Sequence, residues 1–384
     1  MSDPIPPGPT ARQVSGIDPE GRFILSVLVK RTYRISPSGQ CERASEDRPL
    51  VVVPELDPER PGLFLRDSDL YPVKLRTDVI VQGHAYAPAK APSFEASLTI
   101  GAVTKKMLVL GDRRASLSPA GEIVFTAPEP VDTVALGYER AYGGADAIAC
   151  AKHGNPLEGL APYVPELPGL PRINPYAYAR NPSGVGFLLD PTRAAVEALT
   201  LPNLEDPDDR LTPDRLAVGT LERWPGQPLP AAPGWVSYAW FPRIAYLGFV
   251  PAREHLDRPL PEIALGALPP GILDVAPGQQ QLDLGVCNGA PAGLQLPYLR
   301  GDEEIVLTHL SRQAPTLRLK LPGDRPKIWT DGRKGKRGET EPVMHTLLIE
   351  PDEERLSIVW RGSCTALRPY YQDELAKMPF WIEG

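Results

Sequence analysis

Apolar and polar residues alternate in several short segments of the chain. Between residues 27 and 35, apolar side chains occupy every second position except that of Arg31, and polar side chains such as Lys30 lie between them. Since successive side chains of a strand point to opposite faces of its sheet, this pattern predicts a strand with one solvated face. The same alternation predicts strands at residues 75–82, 96–102, 317–321 and 356–360. In the first of these, Asp78 belongs to the polar row and is expected to face solvent.

The alternation stops in three places. It disappears from residue 145 to 178, where prolines recur between Pro156 and Pro175. Long loops without regular structure are uncommon in compact domains and are often functional, so segment 145–178 is a candidate partner-facing loop. The alternative is that it only covers a sheet edge.

Alanines after Pro191 predict a short helix at 192–199, and a charged segment predicts another at 371–378.

The acidic, proline-broken stretch 205–210 is interpreted as a boundary between two lobes. The predicted organisation is a flexible leader at 1–15, an N-terminal β lobe at 16–204 that contains the loop 145–178, and a C-terminal β lobe at 205–384 that ends with the short helix.

The content of proline supports this organisation. The chain has 47 prolines among 384 residues, well above the usual share of about 5%. Because proline fits poorly inside helices and central strands, this content favours short strands joined by stiff loops. The predicted fold class is mainly β, with an antiparallel, two-lobe, sandwich-like or barrel-like architecture, long proline-rich loops and few short helices.

The charge of the chain restricts its partners. Its 41 basic and 48 acidic residues give a net charge of -7, which disfavours nucleic acid and anionic membranes because both attract a basic protein surface. One basic run, at 333–337, lies among glycines and acidic residues and predicts an exposed hairpin tip. The start of the chain has neither a basic region nor an apolar run, and no apolar stretch reaches membrane-spanning length. A cytoplasmic location is therefore expected.

Residues with reactive side chains are scattered along the sequence. The four cysteines have no paired spacing, so a disulfide framework is not expected. Cys150 and His153 have ligand-like spacing, but no second pair follows, so we expect neither a metal site nor a cofactor. Ser183 lacks the glycine spacing of a nucleophile elbow. A pair of acids that includes Glu139 would suit a carbohydrate hydrolase, and this stays an alternative.

The most distinctive segment is 137–144, Gly-Tyr-Glu-Arg-Ala-Tyr-Gly-Gly. As an extended strand it would place Tyr138, Arg140 and Tyr142 on one face, with the guanidinium between two phenol rings. The two closing glycines would then allow a turn. Glu139, on the opposite face, is interpreted as a structural group that bonds backbone amides or a distant arginine, and the alternative is that it receives a partner's cation.

A second distinctive segment, Arg-Asn-Pro-Ser-Gly-Val-Gly-Phe, begins at Arg180, which is a candidate partner for Glu139. Its composition predicts a four-residue turn. Asn181 would take the first position, Pro182 would set the next φ, and Gly184 would close the turn.

The Glu-Arg-Ala-Tyr-Gly-Gly and Arg-Asn-Pro-x-Gly-x-Gly-Phe segments resemble the paired motifs of a bacterial domain-of-unknown-function family that is found beside type VI secretion genes. Four further segments fit the same pattern: residues 78–88, 108–113, 201–205 and 358–362. The resemblance implies a cytoplasmic adaptor without catalytic residues that helps to load a toxic effector onto the secretion spike. The implied partners are a secreted effector and a spike protein.

The predicted partner-binding residues all lie in the two motif segments: Tyr138, Glu139, Arg140, Tyr142, Gly143, Gly144, Arg180, Asn181, Pro182 and Gly184. A weaker alternative is a glycan-binding module that would use the rings of Tyr138, Tyr142 and Trp360.

Overall fold

The structure is a computed structural model, and it describes residues 9–60, 62–153, 176–189, 191–219, 223, 226–241, 243, 284–331 and 337–384. The protein is mainly β, as the alternating segments predict. Within the described ranges no helix combines the length and the apolar character needed to cross a membrane.

The β-strands, in chain order, are β1 Ala11–Ile17, β2 Phe23–Ile35, β3 Cys41–Arg43, β4 Glu55–Leu56, β5 Phe64–Arg66, β6 Thr77–Val81, β7 His84–Ala91, β8 Ser93–Ile100, β9 Val103–Leu110, β10 Ala115–Leu117, β11 Ile123–Phe125, β12 Val131–Ala135, β13 Tyr142–Gly143, β14 Val185–Gly186, β15 Leu204–Glu205, β16 Gln295–Leu296, β17 Glu304–Thr308, β18 Thr316–Lys320, β19 Lys327–Thr330, β20 Gly338–Glu339, β21 Val343–Glu350, β22 Arg355–Thr365 and β23 Phe380–Glu383.

The helices are short: α1 Ala147–His153, α2 Arg193–Ala198, α3 Pro213–Leu216 and α4 Gln372–Leu375, with 3-10 helices at Tyr138–Arg140, Leu284–Cys287 and Pro351–Glu353. Helix α2 confirms the prediction at 192–199. The hydroxyl oxygen of Thr192 caps it by accepting a hydrogen bond from the Ala195 amide at 3.2 Å. Helix α4 confirms the predicted terminal helix in a shorter form, and β23 follows it.

The largest sheet has seven strands in the order β1-β2-β22-β21-β6-β16, with β3 paired to the far end of β2. Its neighbouring strands are antiparallel except β6 and β21, which are parallel. The long strands β2 and β22 pair along most of their length and form its centre.

A five-stranded sheet, β15-β9-β8-β17-β18, lies against one face of the larger sheet, and the two form a sandwich. Alternate residues of β8 and β18 are buried, as the patterns at 96–102 and 317–321 predict. The main hydrophobic core lies between the sheets and includes Val27, Val79, Leu98, Ile305, Leu347 and Ile358. Burial of each such side chain stabilises the fold by about 1.5–3 kcal/mol.

A second, smaller core lies beside the sandwich. It is formed by α1, α2, α3, the β10–β11 hairpin and the chain between residues 176 and 189. Its buried members include Tyr142, Tyr178, Phe187, Val196, Leu211 and Leu216.

The prediction that β2 has one solvated face is wrong, because the larger sheet is covered on both sides. Lys30 is 5% exposed and donates to the Asp69 carboxylate at 2.8 Å. On the opposite face, Arg31 pairs with Asp324. Asp78, also expected to face solvent, is fully buried. A row of polar side chains therefore does not distinguish a wet face from a face covered by charged partners.

The prediction of a flexible leader at 1–15 is wrong for residues 11–15, which lie in β1 and pair with β2. The alternation in this segment is too weak to signal a strand, because Gln13 is buried beside Val14.

The boundary predicted between residues 204 and 205 lies inside β15. Both large sheets combine strands from the two sides of that position. The predicted division therefore does not separate one sheet from the other, since local composition carries no information about which distant strands pair.

Segment 145–178 is not a loop without regular structure, because it begins with α1. Its two ends meet in an antiparallel bridge between Ala145 and Ala177. Residues 154–175 of this segment lie outside the described residues, as do residues 333–336 of the basic run. The strands on either side of that run, β19 and β20, pair antiparallel, as the predicted hairpin requires.

Candidate functional site

The two distinctive segments lie in direct contact. Strands β13 and β14 pair in parallel, so that Tyr142 lies opposite Val185 and Gly143 opposite Gly186. The Val185 amide donates to the Ala141 carbonyl at 3.1 Å, and the Phe187 amide donates to the Gly143 carbonyl at 2.8 Å. Two segments that are some forty residues apart thus form one unit of backbone structure.

The first segment is not the extended strand that the sequence suggests, because Tyr138–Arg140 is a 3-10 helix. The two tyrosines point into different cores and do not flank Arg140. Tyr138 packs edge-on against Trp240, with ring centroids 5.3 Å apart, and Tyr142 packs against Tyr178 at 5.0 Å. The segment therefore joins the sandwich core to the second core.

Burial sets the chemistry of these phenols. Tyr138 is 3% exposed and Tyr142 is 1% exposed. Burial raises the pKa of both phenols above the ordinary value for tyrosine, so both stay protonated at physiological pH. With Trp360 also 1% exposed, the three rings of the glycan-binding alternative offer no open face to a sugar.

The second segment forms the predicted turn. The Gly184 amide donates to the Asn181 carbonyl at 3.2 Å, which confirms Asn181, Pro182 and Gly184 in the positions expected. Asn181 is fully buried, and its Nδ2 donates to the carbonyls of Tyr138 at 2.8 Å and Tyr142 at 3.0 Å. One side-chain amide therefore holds the 3-10 turn against the Asn-Pro turn.

Two glycines of the first segment allow this close approach. Gly144 has a φ of +95°, and a Cβ at this position would lie 2.5 Å from the Gly184 carbonyl oxygen. A Cβ at Gly143 would collide with the Asn181 backbone. Both positions therefore exclude side chains for reasons of backbone contact as well as conformation.

Two further segments converge here. The Asn203 amide donates to the Arg140 carbonyl at 2.8 Å, and Leu204 forms a parallel bridge with Ala141. Arg113 and Glu205 form a buried ion pair beside this bridge. We call the unit formed by residues 108–113, 137–144, 180–187 and 201–205 the motif junction.

The predicted partner-binding residues in the motif junction differ in how deeply they are buried. Tyr138, Tyr142, Gly143, Gly144 and Asn181 are buried, and Glu139, Arg180, Pro182 and Gly184 are half-buried. Arg140 alone among the ten is classed as exposed, and its guanidinium donates to the Asn203 side chain at 3.3 Å.

Glu139 lies at the surface of the motif junction with an arginine as partner. Its carboxylate is 3.6 Å from the guanidinium of Arg60, which projects from the connection between β4 and β5. Arg180 donates to the Tyr178 hydroxyl at 3.2 Å. The described contacts therefore give Glu139 a structural ion pair with an arginine that the sequence did not single out.

A buried ionic network lies under the other face of the larger sheet. Lys74 and Asp78 are both fully buried, with Nζ and the carboxylate 2.7 Å apart. The Asp78 carboxylate also accepts hydrogen bonds from the Asn288 side chain at 2.9 Å and from the Gly289 amide at 2.8 Å. Each charge of the pair is thus balanced inside the protein.

A second buried pair adjoins the first. Arg243 lies 2.9 Å from the Asp67 carboxylate and donates to the Val286 carbonyl. Burial alone would lower the pKa of Arg243, but attraction to Asp67, Tyr71 and Asp78 outweighs it and raises that pKa. The arginine is therefore a permanent cation that holds residues 286 and 67 together.

The network includes a fully buried histidine. Lys74 donates to the Thr346 hydroxyl at 3.0 Å, Thr346 lies 3.3 Å from Nδ1 of His345, and Nε2 of His345 lies 3.0 Å from the Tyr71 carbonyl. Because the Tyr71 carbonyl can only accept, Nε2 of the neutral ring carries the proton, and Nδ1 accepts from the Thr346 hydroxyl. Burial, followed by the charges of Lys74 and Arg361, lowers the pKa of His345 well below its ordinary value. The imidazole is neutral.

The sequence analysis missed this network. Its one usable signal was a set of charged residues inside predicted strands, such as Asp78, which the alternation assigned to solvent. Asn288, which donates to Asp78, and Arg243, which pairs with Asp67, follow more than 160 positions later, and no local pattern connects them.

An open cavity of about 290 Å³ lies over the polar face of the larger sheet. Lys30, Arg48 and Arg66 contribute cations, Val52 and Val53 contribute exposed aliphatic side chains, and Ser357 lies at its floor. We call it the cationic cavity. Glu55 is the single acid among the described residues that line it.

The described residues contain no cluster of three or more histidine, cysteine or acidic side chains that could hold a metal ion. The side chain of His153, the predicted neighbour of Cys150, lies outside what the structure describes.

Comparison with known proteins supplies one match. A family model described as an uncharacterized protein conserved in bacteria, DUF2169, matches residues 20–361. No curated protein and no solved structure matched the chain. The match covers the whole motif junction and the sandwich except β1 and the end of β22.

Proposed function

We propose, on the premise that this chain belongs to the DUF2169 family of proteins conserved in bacteria, that it is a non-enzymatic adaptor. Its client would be a secreted effector protein or the spike-tip domain of that effector. The adaptor would hold the client in the cytoplasm for loading onto the spike of a type VI secretion system. The link to this system comes from the resemblance of the two motifs.

The observation that carries the binding role is the internal bonding of the motif junction. The amide of Asn181 and the phenols of Tyr138 and Tyr142 hold backbone and ring contacts between the two cores. Groups bonded in this way position a surface. They do not combine into a nucleophile with an oriented base, which acyl or glycosyl transfer would require.

The exposed side chains of the motif junction would provide the contacts. Arg140, with the half-buried Glu139, Arg180 and Pro182, lies where segment 145–178 leaves the sandwich. These residues are held by backbone that is already hydrogen-bonded, so a partner would bind with little ordering cost. Arginine is also enriched among the residues that contribute most to protein interfaces.

The direct test is co-expression with an effector that is encoded beside a spike protein gene in the same genome. We expect the two proteins to co-elute in a fixed ratio on size exclusion. Arg140→Glu should abolish the complex without changing the melting temperature. The matched control is Arg22→Glu, because Arg22 is an exposed arginine paired with Asp18 at 2.7 Å and should be dispensable.

Two results would count against the adaptor. One is the absence of a complex with any effector from the secretion locus. The other is hydrolysis of a sugar substrate that Glu139→Gln abolishes, which would favour the carbohydrate hydrolase instead.

A further inference from the structure

The cationic cavity has the features of a site for an acidic ligand. Arg48 is 3.4 Å from Glu350, and Arg66 is 3.4 Å from Glu55, both longer than the roughly 2.8 Å of a strong charge-assisted hydrogen bond. Each guanidinium has five N–H donors, so these loose contacts leave donors for a further acceptor. The side chains of both arginines are 33% exposed and accessible from solvent.

The charges around Arg48 also favour the binding of an acidic ligand. Burial first, and then the neighbouring cations Arg355 and Arg66, lower the pKa of Arg48 despite the attraction of Glu350. A cation in such surroundings is stabilised by an additional anion.

The floor of the cavity carries an unsatisfied hydroxyl. Ser357 is 1% exposed, and its Oγ makes no hydrogen bond within the part of the chain that the structure describes. Beside it, Lys30 is held in place by the Asp69 carboxylate at 2.8 Å. Buried polar groups nearly always have a partner, so an unpaired hydroxyl beside a fixed ammonium is a position where a ligand oxygen would be stabilised.

The wall of the cavity is preformed. The Val51 amide donates to the Asp69 carboxylate at 2.8 Å, and the Ser68 hydroxyl donates to the Val52 carbonyl at 2.9 Å. These bonds fix the segment that presents Val52 and Val53, whose side chains are 49% and 71% exposed. The cavity therefore combines a polar floor with an aliphatic rim.

The cavity is also connected to the motif junction. Glu55 and Arg66, which line it, are opposite each other in the β4–β5 hairpin. The same hairpin carries Arg60, whose guanidinium contacts Glu139. One continuous stretch of surface thus runs from the cationic cavity to the surface that we assign to client binding.

We propose that the cationic cavity binds an acidic side chain of the client, presented by an extended segment whose aliphatic residues two positions away, on the same face as the acid, lie on Val52 and Val53. This inference rests on the proposed adaptor function in so far as the acid belongs to a client protein. The aliphatic rim favours a peptide over a free inorganic anion, because an inorganic anion would leave the two valines in water.

The probe, called the Val-Glu peptide, is a short fluorescein-labelled peptide Val-Ser-Glu-Ser-Val, whose Val and Glu side chains share one face when it is extended. The measurement is fluorescence anisotropy with the full chain. The peptide should bind, and its Val-Gln counterpart should bind at least about tenfold more weakly, since every tenfold corresponds to 1.4 kcal/mol of lost ion pairing. Arg48→Glu and Arg66→Glu should each weaken binding of the Val-Glu peptide by a similar factor. Arg22→Glu should have no effect, and circular dichroism melting would verify that each variant is folded.

Three results would overturn the site: no binding of the Val-Glu peptide at millimolar concentration, equal binding of the Val-Gln peptide, or equal binding of inorganic phosphate. If wild type holds its effector and the Arg48→Glu variant holds it equally well, the site fails while the adaptor function stands. If the peptide binds as expected but no effector does, the adaptor function fails while the acidic-ligand site stands.

Discussion

The buried side-chain amide of Asn181 connects the two motif segments in addition to the backbone pairing of β13 with β14. Its Nδ2 donates to the carbonyls of Tyr138 and Tyr142. Asn181→Ala would leave the Tyr142 carbonyl without this donor and the Tyr138 carbonyl with the Ala141 amide as its donor. An unsatisfied buried group costs about 1–3 kcal/mol, and a lost hydrogen bond costs about 1 kcal/mol. We therefore expect the free energy of unfolding to fall by roughly 2–4 kcal/mol, as measured by urea denaturation.

Arg140→Ala is the matched comparison within the same unit. Arg140 is exposed and makes one side-chain hydrogen bond of 3.3 Å, so its removal should change the free energy of unfolding by less than about 1 kcal/mol. A large loss of stability in Arg140→Ala, or none in Asn181→Ala, would contradict the separation of scaffold from surface that we derive for the motif junction.

His345 makes a contribution to stability that depends on pH. Its pKa in the folded protein is lowered by burial, whereas in the unfolded chain a histidine binds a proton below about pH 6.5. The contribution is fully present above that pH and is lost as the pH falls, because protons then favour the unfolded chain.

In His345→Gln we expect the decline in unfolding free energy between pH 7 and 5 to be shallower, by up to about 1.4 kcal/mol per pH unit. Asn181→Ala is the control, since it destabilises the protein without removing a titrating group and should keep the slope of wild type. Identical slopes in wild type and His345→Gln would show that the buried imidazole does not contribute.

For single residues, the sequence predicted the conformations that depend on neighbouring positions and missed those that depend on contacts with distant positions. The turn at Asn181 was predictable because Pro fixes the backbone of its own position, while Asn and Gly are favoured at the positions that they occupy in such a turn. The arrangement of Tyr138, Arg140 and Tyr142 was not, because an alternating triplet fits a strand and a 3-10 turn equally well, and the choice depends on Trp240 and Tyr178 far along the chain.

The pairing of strand β13 with strand β14 depends on Gly144, which directly follows β13. Gly144 and Gly121 both have positive φ, of +95° and +83°, but a Cβ at Gly121 meets nothing within 4 Å. Gly121→Ala should therefore cost only the conformational strain of about 1–2 kcal/mol.

Gly144→Ala should cost the same strain plus about 1–3 kcal/mol from the contact with the Gly184 carbonyl, which would push the two segments apart. Thermal unfolding of the two variants measures the difference. Equal losses of stability would mean that the close approach of the segments contributes nothing beyond the backbone conformation.

Strands with clear alternation were predicted within a few residues, as β8 and β18 are. Strand β1 was missed, since its buried positions include Gln13 and its pairing partner is supplied by β2. Helix α1 was missed because the prolines that follow it dominate the composition of segment 145–178. Local sequence patterns thus identified the elements whose own residues show a clear pattern, whereas the other elements form through pairing with distant parts of the chain.

At the scale of the whole molecule, the two halves of the sequence are interleaved. The larger sheet combines strands from both: β2 from the first half pairs with β22 from the second, and β6 lies between β21 and β16. In the smaller sheet β8 pairs with β17 across more than 200 residues. The composition change at 205–210 suggested a boundary between two lobes. A linker between domains and a long connection between strands of one sheet have the same kind of local composition.

This interleaving predicts that the halves cannot fold separately. Fragment 1–204 would lack β21 and β22, so β2 and β6 would keep neither of their central partners, and fragment 205–384 would lack β2, β6 and β8. We expect neither fragment alone to give a dispersed amide NMR spectrum or a cooperative thermal transition. The two fragments co-expressed should recover both, because all strands of each sheet are then present. If fragment 1–204 unfolds cooperatively on its own, the N-terminal segment is an independent domain, and the pairing between the halves contributes little to its stability.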